Sequence, residues 1–335
     1  MAKIVGVDLG TANTLICMKG SGIVISQPSA VAINRDTREI IYQGAEAKRM
    51  MGKAPGGILA FRPIKDGVIT DADVISGMLR KYFKSIGALS TFSKPFVIAS
   101  IPYGVTEVER QALESAAFYA GARRVALIDE PLAAALGTGL NIGGPKGTMM
   151  VDIGGGTTEV AVISMGGIVA SRSVRIAGDE IDGAIIDYVK AMRGVNIGEG
   201  TAEELKIRIG SVHPEYDRGS LTVSGMNPAK RKGELITLTS GEIREAMQEP
   251  VDAIISTIKQ AFEQTPPELS GDLYDYGIAL TGGGALLPGI GKLIYERTGV
   301  RARIAKKPME SVCKGIHRVI EYSGELDSFL RFRER

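Results

Sequence analysis

Two stretches decide the fold: Val7-Asp8-Leu9-Gly10-Thr11-Ala12-Asn13 and Val151-Asp152-Ile153-Gly154-Gly155-Gly156-Thr157-Thr158. In each, an apolar run ends on an aspartate followed by small and hydroxyl-bearing residues. The likeness continues downstream, where Gly22-Ile23-Val24-Ile25-Ser26 follows the first stretch and Gly167-Ile168-Val169-Ala170-Ser171 the second. Each half therefore opens as strand, Asp-x-Gly turn, strand, glycine turn, strand. One such pattern arises by chance in a buried hairpin; two at near-equal spacing point to a duplicated unit.

Working outward, apolar runs at 3 to 8, 14 to 19, 96 to 101, 125 to 128, 148 to 153, 158 to 164 and 277 to 281 predict strands. Helical periodicity covers 71 to 87, 105 to 120, 131 to 139, 179 to 192, 202 to 210, 241 to 264 and 287 to 298, so the class is α/β. The segment Ile142-Gly143-Gly144-Pro145-Lys146-Gly147 cannot continue a helix and marks the boundary between halves. The 335 residues, 44% of them hydrophobic, suffice for two cores. Forty Lys and Arg against 38 Asp and Glu, dispersed along the chain, build no basic stripe, which argues against nucleic acid as a partner. Cys17 and Cys313 lie almost a whole chain apart and are joined by only two histidines, His213 and His317. Structural disulfides, zinc sites and histidine catalysis are therefore not expected. The opening residues run straight into Ile4-Val5-Gly6-Val7, leaving no room for a secretory h-region, and no apolar run reaches the roughly 18 residues of a membrane span. A cytoplasmic location is expected.

Small residues after a strand let successive N–H groups converge into a concave nest for phosphate oxygens. No lysine follows either turn to balance that charge. Asp8 and Asp152 are accordingly expected to hold Mg²⁺ through water. A third cluster, Leu280-Thr281-Gly282-Gly283-Gly284-Ala285-Leu286, follows a strand, is expected to open a helix, and suits an adenosine with its α-phosphate. The other mononucleotide signatures, G-x-x-x-x-G-K-[ST] and G-x-G-x-x-G, are absent. On the helix after Thr201, Glu203 and Lys206 share a face at i,i+3, where they either bracket a ribose or form a surface ion pair.

In their order and spacing these residues resemble the actin, hexokinase and heat-shock-chaperone ATPases, and within them the MreB/Mbl family of bacterial actins. The likeness runs over essentially the whole chain: Gly6 to Thr14, Arg62 to Ile69, Gly104 to Arg110, Glu130 to Ala135, Asp152 to Glu159, Ala177 to Glu180, Thr201 to Lys206, Thr265 to Leu269 and the triple glycine. It implies two duplicated actin-like (ribonuclease H-like) domains, each with an inserted smaller subdomain and a nucleotide cleft between them. The implied subdomains are 1 to 31 with 66 to 143 and 311 to 335 (IA), 32 to 65 (IB), 144 to 178 with 247 to 310 (IIA), and 179 to 246 (IIB). Implied contacts with ATP or ADP are Asp8, Gly10, Thr11, Ala12, Asn13, Gly154, Gly155, Gly156, Thr157, Glu203, Glu204, Leu205, Lys206, Gly282, Gly283, Gly284, Ala285 and Leu286. Glu130, just before Pro131, resembles the family's water-orienting acid and Thr158 its partner; the alternative for Glu130 is a carboxylate placed to favour a helix dipole.

The resemblance further implies an ATP-dependent homopolymer, commonly of antiparallel paired protofilaments. It would lie on the inner face of the cytoplasmic membrane, meet cell-wall-synthesis membrane proteins there, organise wall synthesis and rod shape, and turn ATP over slowly. Leu89 and Phe92, in Ala88-Leu89-Ser90-Thr91-Phe92-Ser93-Lys94-Pro95-Phe96, occupy the place of the family's hydrophobic insertion loop and are the expected membrane contacts. Two departures stand out: His317 replaces the glycine usual two positions after Gly315, and Asn227 to Gly233 carries Lys230, Arg231 and Lys232, read as a solvated turn. A plasmid- or organelle-positioning actin shares all the nucleotide machinery. A metabolic kinase would need a phosphoacceptor pocket with its own Asp base, and a chaperone a peptide-binding domain after the ATPase.

Overall fold

The computed structural model describes residues 3 to 322 and 324 to 334. The chain divides into two units, one comprising Met1–Pro145, Ile163–Ile168 and Met309–Arg335 and the other Lys146–Val162 and Val169–Pro308. The elements of the first unit begin with β1 (Ile4–Leu9), β2 (Asn13–Met18), β3 (Gly22–Pro28), β4 (Val31–Asn34), β5 (Ile40–Gln43), α1 (Ala45–Met50), β6 (Ile58–Phe61), β7 (Ile64–Lys65) and β8 (Val68–Ile69). They continue with α2 (Ala72–Ser85), β9 (Phe96–Ile101), α3 (Glu107–Ala120), β10 (Arg124–Asp129) and α4 (Glu130–Thr138). Next come β11 (Thr148–Ile153), β12 (Thr158–Ser164), β13 (Gly167–Val174), α5 (Gly178–Arg193), α6 (Glu199–Ile209), β14 (Ser220–Asn227), β15 (Lys232–Thr239) and α7 (Ser240–Glu263). After them follow α8 (Pro267–Tyr276), β16 (Ile278–Thr281), α9 (Ile290–Thr298) and β17 (Ala302–Ile304), before α10 (Ser311–Glu321) and β18 (Arg331–Glu334) return to the first unit.

The sheets carry the duplication. One runs β3-β2-β1-β9-β10 with β18 added at the edge, and the other runs β13-β12-β11-β16-β17. In the first, β1 pairs antiparallel with β2 and parallel with β9; in the second, β11 pairs parallel with β16. The central strands read as continuous apolar runs because they are covered on both faces: Val5 and Val7, or Met149, Val151 and Ile153, are essentially inaccessible. Each unit has its own core, one joining β1, β9 and β10 to α2 and α3, the other joining β11, β12 and β16 to α5, α7 and α9. A satellite core of Ala30, Ala32 and Ala47 lies under the three-stranded sheet β5-β4-β6 and α1.

Helix starts follow local chemistry. Thr106 caps α3 and Thr239 caps α7, each in a reciprocal box with Glu109 or Glu242 that satisfies two end-of-helix N–H groups. Some features were not visible in the periodicity. The basic stretch at 227 to 233 is the tip of the β14–β15 hairpin, where Lys230 pairs with Glu234 and Asn227 with the same carboxylate. The triple glycine does not open α9 directly: a 3₁₀ turn at Gly284–Leu286 intervenes, and α9 starts at Ile290. Cys17 and Cys313, distant in sequence, are both buried and unoxidised, with the Cys17 thiol donating to the Cys313 carbonyl at 3.6 Å. His317 sits 3.2 Å from Glu321, one turn along α10.

Helices α4 and α10 cross at glycines. A Cβ on Gly137 would lie 1.8 Å from the Ser311 carbonyl oxygen, and one on Gly315 only 1.7 Å from that of Ala133. Backbone cannot retreat as a side-chain tip can, so Gly315→Ala is expected to cost about 3 kcal/mol or more. Gly183, inside α5, has open space where its Cβ would be. Gly183→Ala should instead stabilise by about 0.5–1 kcal/mol through helix propensity. Urea unfolding of the two variants beside the parent checks both signs.

Candidate nucleotide site

The first turn follows β1. Gly10 N–H donates to the Asn13 carbonyl at 3.1 Å, closing the turn over three residues. Ser29 fastens it from behind, donating from Oγ to the Gly10 carbonyl at 2.6 Å and from N–H to the Ala12 carbonyl at 3.0 Å. The Thr11 hydroxyl accepts from Gly67 N–H at 3.1 Å. Asp8 is 9% exposed and its Oδ1 accepts from the Ser100 hydroxyl at 3.2 Å.

The second turn repeats that closure: Gly154 N–H donates to the Thr157 carbonyl at 2.9 Å. Counted from the aspartate, donor and acceptor occupy the same places in both turns, two and five residues on. Here the fastening comes from the N-terminus of α5, where Gly178 N–H donates to the Gly154 carbonyl at 3.3 Å and Asp179 N–H to the Gly155 carbonyl at 2.7 Å. The consequence is the same in both. Turn carbonyls are consumed, while Thr11, Ala12, Gly155 and Gly156 donate to no backbone carbonyl among the described residues. Successive amides without a carbonyl partner are what an anion-binding turn offers.

In the second unit the third glycine cluster packs directly on the second turn. Gly282 has φ +79 and donates to the Pro308 carbonyl at 3.1 Å; a Cβ there would fall 2.2 Å from the Ile153 oxygen and 2.3 Å from Asp152 Oδ1. Gly284 is equally tight against Ile153. Asp152 is thus roofed by backbone, and burial pushes its carboxyl up to about 6, with the nearby Thr281 hydroxyl opposing the shift. Ala285 is buried and Leu286 exposed.

On α6 the structure separates residues that the sequence ran together. Lys206 donates to the Gly178 carbonyl at 2.8 Å and pairs with Asp182 at the same distance, both nearly buried. Burial pushes Asp182 up to about 6, with Lys206 opposing the shift and Glu203 and Asp179 adding to it. Lys206 is thereby a strut under the residue that fastens the second turn, which corrects the reading of an exposed i,i+3 pair. Leu205 is fully buried in the core, and Glu204 is exposed and paired with Arg208. Neither side chain faces the turn's amides.

Thr158 requires a second correction. It is fully buried at the start of β12 and its hydroxyl donates to the Ile176 carbonyl at 2.7 Å. That hydroxyl is committed to the interior, and the neighbouring Thr157, on the turn itself, is partly exposed. The end of the turn separates the two: Thr158 opens β12, all of whose residues are buried, and Thr157 lies outside it on the turn. Glu130 is the first residue of α4, half-buried, with Pro131 after it. It shares with Leu9, Ser100 and Glu109 the wall of a cavity of about 30 Å³, space for one or two waters. Behind it, Asp129 accepts from Arg331 of β18 at 2.7 Å instead of capping α4, and burial raises its carboxyl above the usual range with Arg331 opposing. Sequence reading missed this support because the partner lies near the far end of the chain.

The loop after α2 yields the last correction. Leu89 is packed inward: its methyl groups lie where a Cβ of Gly121 would be, and it joins the first unit's core. Phe92 is 99% exposed. Among the described residues no helix is long and apolar enough to cross a membrane, and no group of three acidic, histidine or cysteine ligands forms a metal cage.

The MreB/Mbl protein family model matches residues 2–328. The chain is 48% identical over 320 residues to the cell shape-determining protein MreB of Escherichia coli (strain K12), covering 94% of this chain and 92% of that one. It is 44% identical over 314 residues to the cell shape-determining protein Mbl of Bacillus subtilis (strain 168), covering 94% of both. Among solved structures, MreB5 of Spiroplasma citri bound to ADP superposes with a TM-score of 0.91 at 35% identity over 95% of this chain and 96% of that one. A MamK double helical filament shares the fold at a TM-score of 0.80 and 19% identity, over 95% and 98%. With this sheet order repeated in two units and the family match spanning nearly every residue, the chain belongs to the MreB/Mbl family of actin-like proteins.

Proposed function

We propose that this protein is a filament-forming bacterial actin that binds ATP with Mg²⁺, hydrolyses it slowly, and assembles on the inner face of the cytoplasmic membrane to organise wall synthesis and cell shape. The observation that carries the reading is the matched closure of the two turns, Gly10 to Asn13 and Gly154 to Thr157, which leaves amides of both turns for phosphate oxygens. Support for the nucleotide comes from the relative MreB5 of Spiroplasma citri, solved bound to ADP and to AMPPNP. The cell-shape role rests on the names of the MreB and Mbl relatives, and self-assembly on the family. The subdomains implied by the resemblance are proposed as the working layout.

The chemistry of each carboxylate suits a hydrated magnesium. Mg²⁺ keeps several waters and takes one or two carboxylates plus phosphate oxygens, and Asp8 and Asp152 each stand near the end of a strand that leads into a glycine turn. Mg²⁺ supplies neutralisation of phosphate charge. The protein supplies position: the turn amides hold phosphate oxygens, the Gly282 to Gly284 backbone meets the adenosine side, and Glu203 is the α6 side chain assigned to the ribose. Glu130, beside its small cavity, orients a water at Pγ; a bond forms from that oxygen to phosphorus, the bond to the β-bridging oxygen breaks, and the proton leaves with phosphate. Thr157 replaces Thr158 as its partner. Phe92 is the assigned membrane contact, worth at most about 1.5–3 kcal/mol per subunit, so attachment depends on a polymer presenting many copies.

Sedimentation with ATP, ADP or no nucleotide tests assembly: ATP-selective pelleting is expected, and sugar-dependent ADP release without pelleting sinks the reading in favour of a kinase. Glu130→Gln and Thr157→Ala are expected to bind ATP but lose at least about 100-fold in hydrolysis, as for a positioned general base, whereas Thr158→Val should lower stability more than turnover. Single-turnover phosphate release separates these outcomes.

Asp152 gives a pH signature. Its folded value of about 6 lies above the ordinary aspartate value near 3.9. Between those limits the folded protein keeps a proton that the unfolded chain has lost, so stability falls as pH rises through about 4 to 6 and stays reduced above it, by up to roughly 2–3 kcal/mol. Asp152→Asn should therefore raise the Tm of nucleotide-free protein at pH 7.5 while abolishing magnesium-dependent ATP binding. A Tm at or below the parent's contradicts the burial argument.

A further inference from the structure

Phe92 stands at the tip of a turn closed by Ser90 N–H donating to the Ser93 carbonyl at 2.9 Å. Its base is tied down on every side: Ala88 and Leu89 N–H donate to the Phe83 carbonyl, Gly87 N–H to that of Lys84, and Arg123 N–H to that of Pro95. Phe96 N–H donates to the Lys3 carbonyl at 3.0 Å, and the Lys3 ammonium reaches the Ile86 carbonyl at 3.4 Å. These bonds gather Lys3, Lys84, Lys94 and Arg123 around one loop, and all four are exposed. Among the described residues the side chains of Lys84, Lys94 and Arg123 make no ion pair. From Val74 to Thr106 the chain has four basic residues, Arg80, Lys81, Lys84 and Lys94, and no Asp or Glu.

We propose that these bases form a cationic collar around Phe92 that takes the headgroups of anionic phospholipids, an inference that rests on the reading of Phe92 as the membrane contact. A side chain 99% exposed on a turn tip stands out from the surface as an apolar point. An apolar apex above a ring of unpaired cations matches the layering of a bilayer, hydrocarbon inside and charged headgroups outside, and lysine stems reach from one layer to the other. One buried ring alone is a marginal anchor; stable attachment takes a second signal, and a basic patch supplies it. Leu89, packed over Gly121, anchors the N-terminal side of the loop that carries Phe92.

The test is flotation of ATP-assembled protein with vesicles of phosphatidylcholine alone or mixed with phosphatidylglycerol, at low and high salt. Filaments sediment and vesicles rise, so only bound protein floats. The parent is expected to favour the mixed vesicles and to be released by salt. The Lys84→Gln/Lys94→Gln/Arg123→Gln variant, checked for normal ATP-dependent pelleting, should lose about fivefold in apparent affinity for them per base removed with binding to phosphatidylcholine unchanged. Phe92→Ser should lose both. Equal flotation with the two vesicle types, or a triple variant that floats like the parent, overturns the collar and leaves the Phe92 contact standing; flotation with neither overturns both.

Discussion

A peptide turn offers an anion both the groups it wants and the groups it must avoid, and the architecture depends on separating them. After each strand-borne aspartate a glycine N–H closes onto a carbonyl three residues ahead, and the carbonyls that remain are drawn backwards, by Ser29 in one unit and by the first N–H groups of α5 in the other. The N–H groups of Thr11, Ala12, Gly155 and Gly156 are left with no backbone carbonyl among the described residues. The small residues of both motifs follow from this geometry, since Cβ atoms would crowd the closure: one on Gly10 would meet the Asn13 oxygen at 3.0 Å and one on Gly154 the Thr157 oxygen at 3.1 Å.

The supports are long-range, and they explain why the sequence was legible in some places and opaque in others. Local chemistry spoke clearly: strand, aspartate, glycine and hydroxyl in order gave the turns, and the repeat gave the duplicated sheet, because both are encoded within about ten residues. Partners from distant elements left no such trace. Nothing near Lys206 says that its ammonium reaches the Gly178 carbonyl and Asp182, and nothing near Leu89 says that it lies over Gly121. The adjacent threonines show the limit most sharply, since Thr158 begins a strand buried along its whole length while Thr157 remains, partly exposed, on the turn before it.

Burial of carboxylates is the electrostatic counterpart. Asp152 and Asp182 are both pushed up to about 6 by dehydration, but only Asp182 has a cation beside it. Asp182 uses that cation to brace the second turn from below. Asp152, roofed by Gly282, carries a desolvation cost with no cation beside it among the described residues, which is the state that the proposed magnesium would relieve.

Glu130, the proposed water-orienting acid, is held by its mounting. It opens α4, the helix locked against α10 through contacts that admit no Cβ, and the residue before it is fixed by Arg331 of the terminal strand. Arg124 adds a further fastening, its guanidinium 5.1 Å from the Phe96 ring and 5.5 Å from that of Phe332. The chain thus returns from the second unit to complete the first, and its last described elements hold α4 in place. Phosphoryl transfer to water rewards position more than basicity. A carboxylate at the start of a closely packed helix, beside a cavity of about 30 Å³, has its position set by packing, which is what the proposed role of orienting a water asks of it.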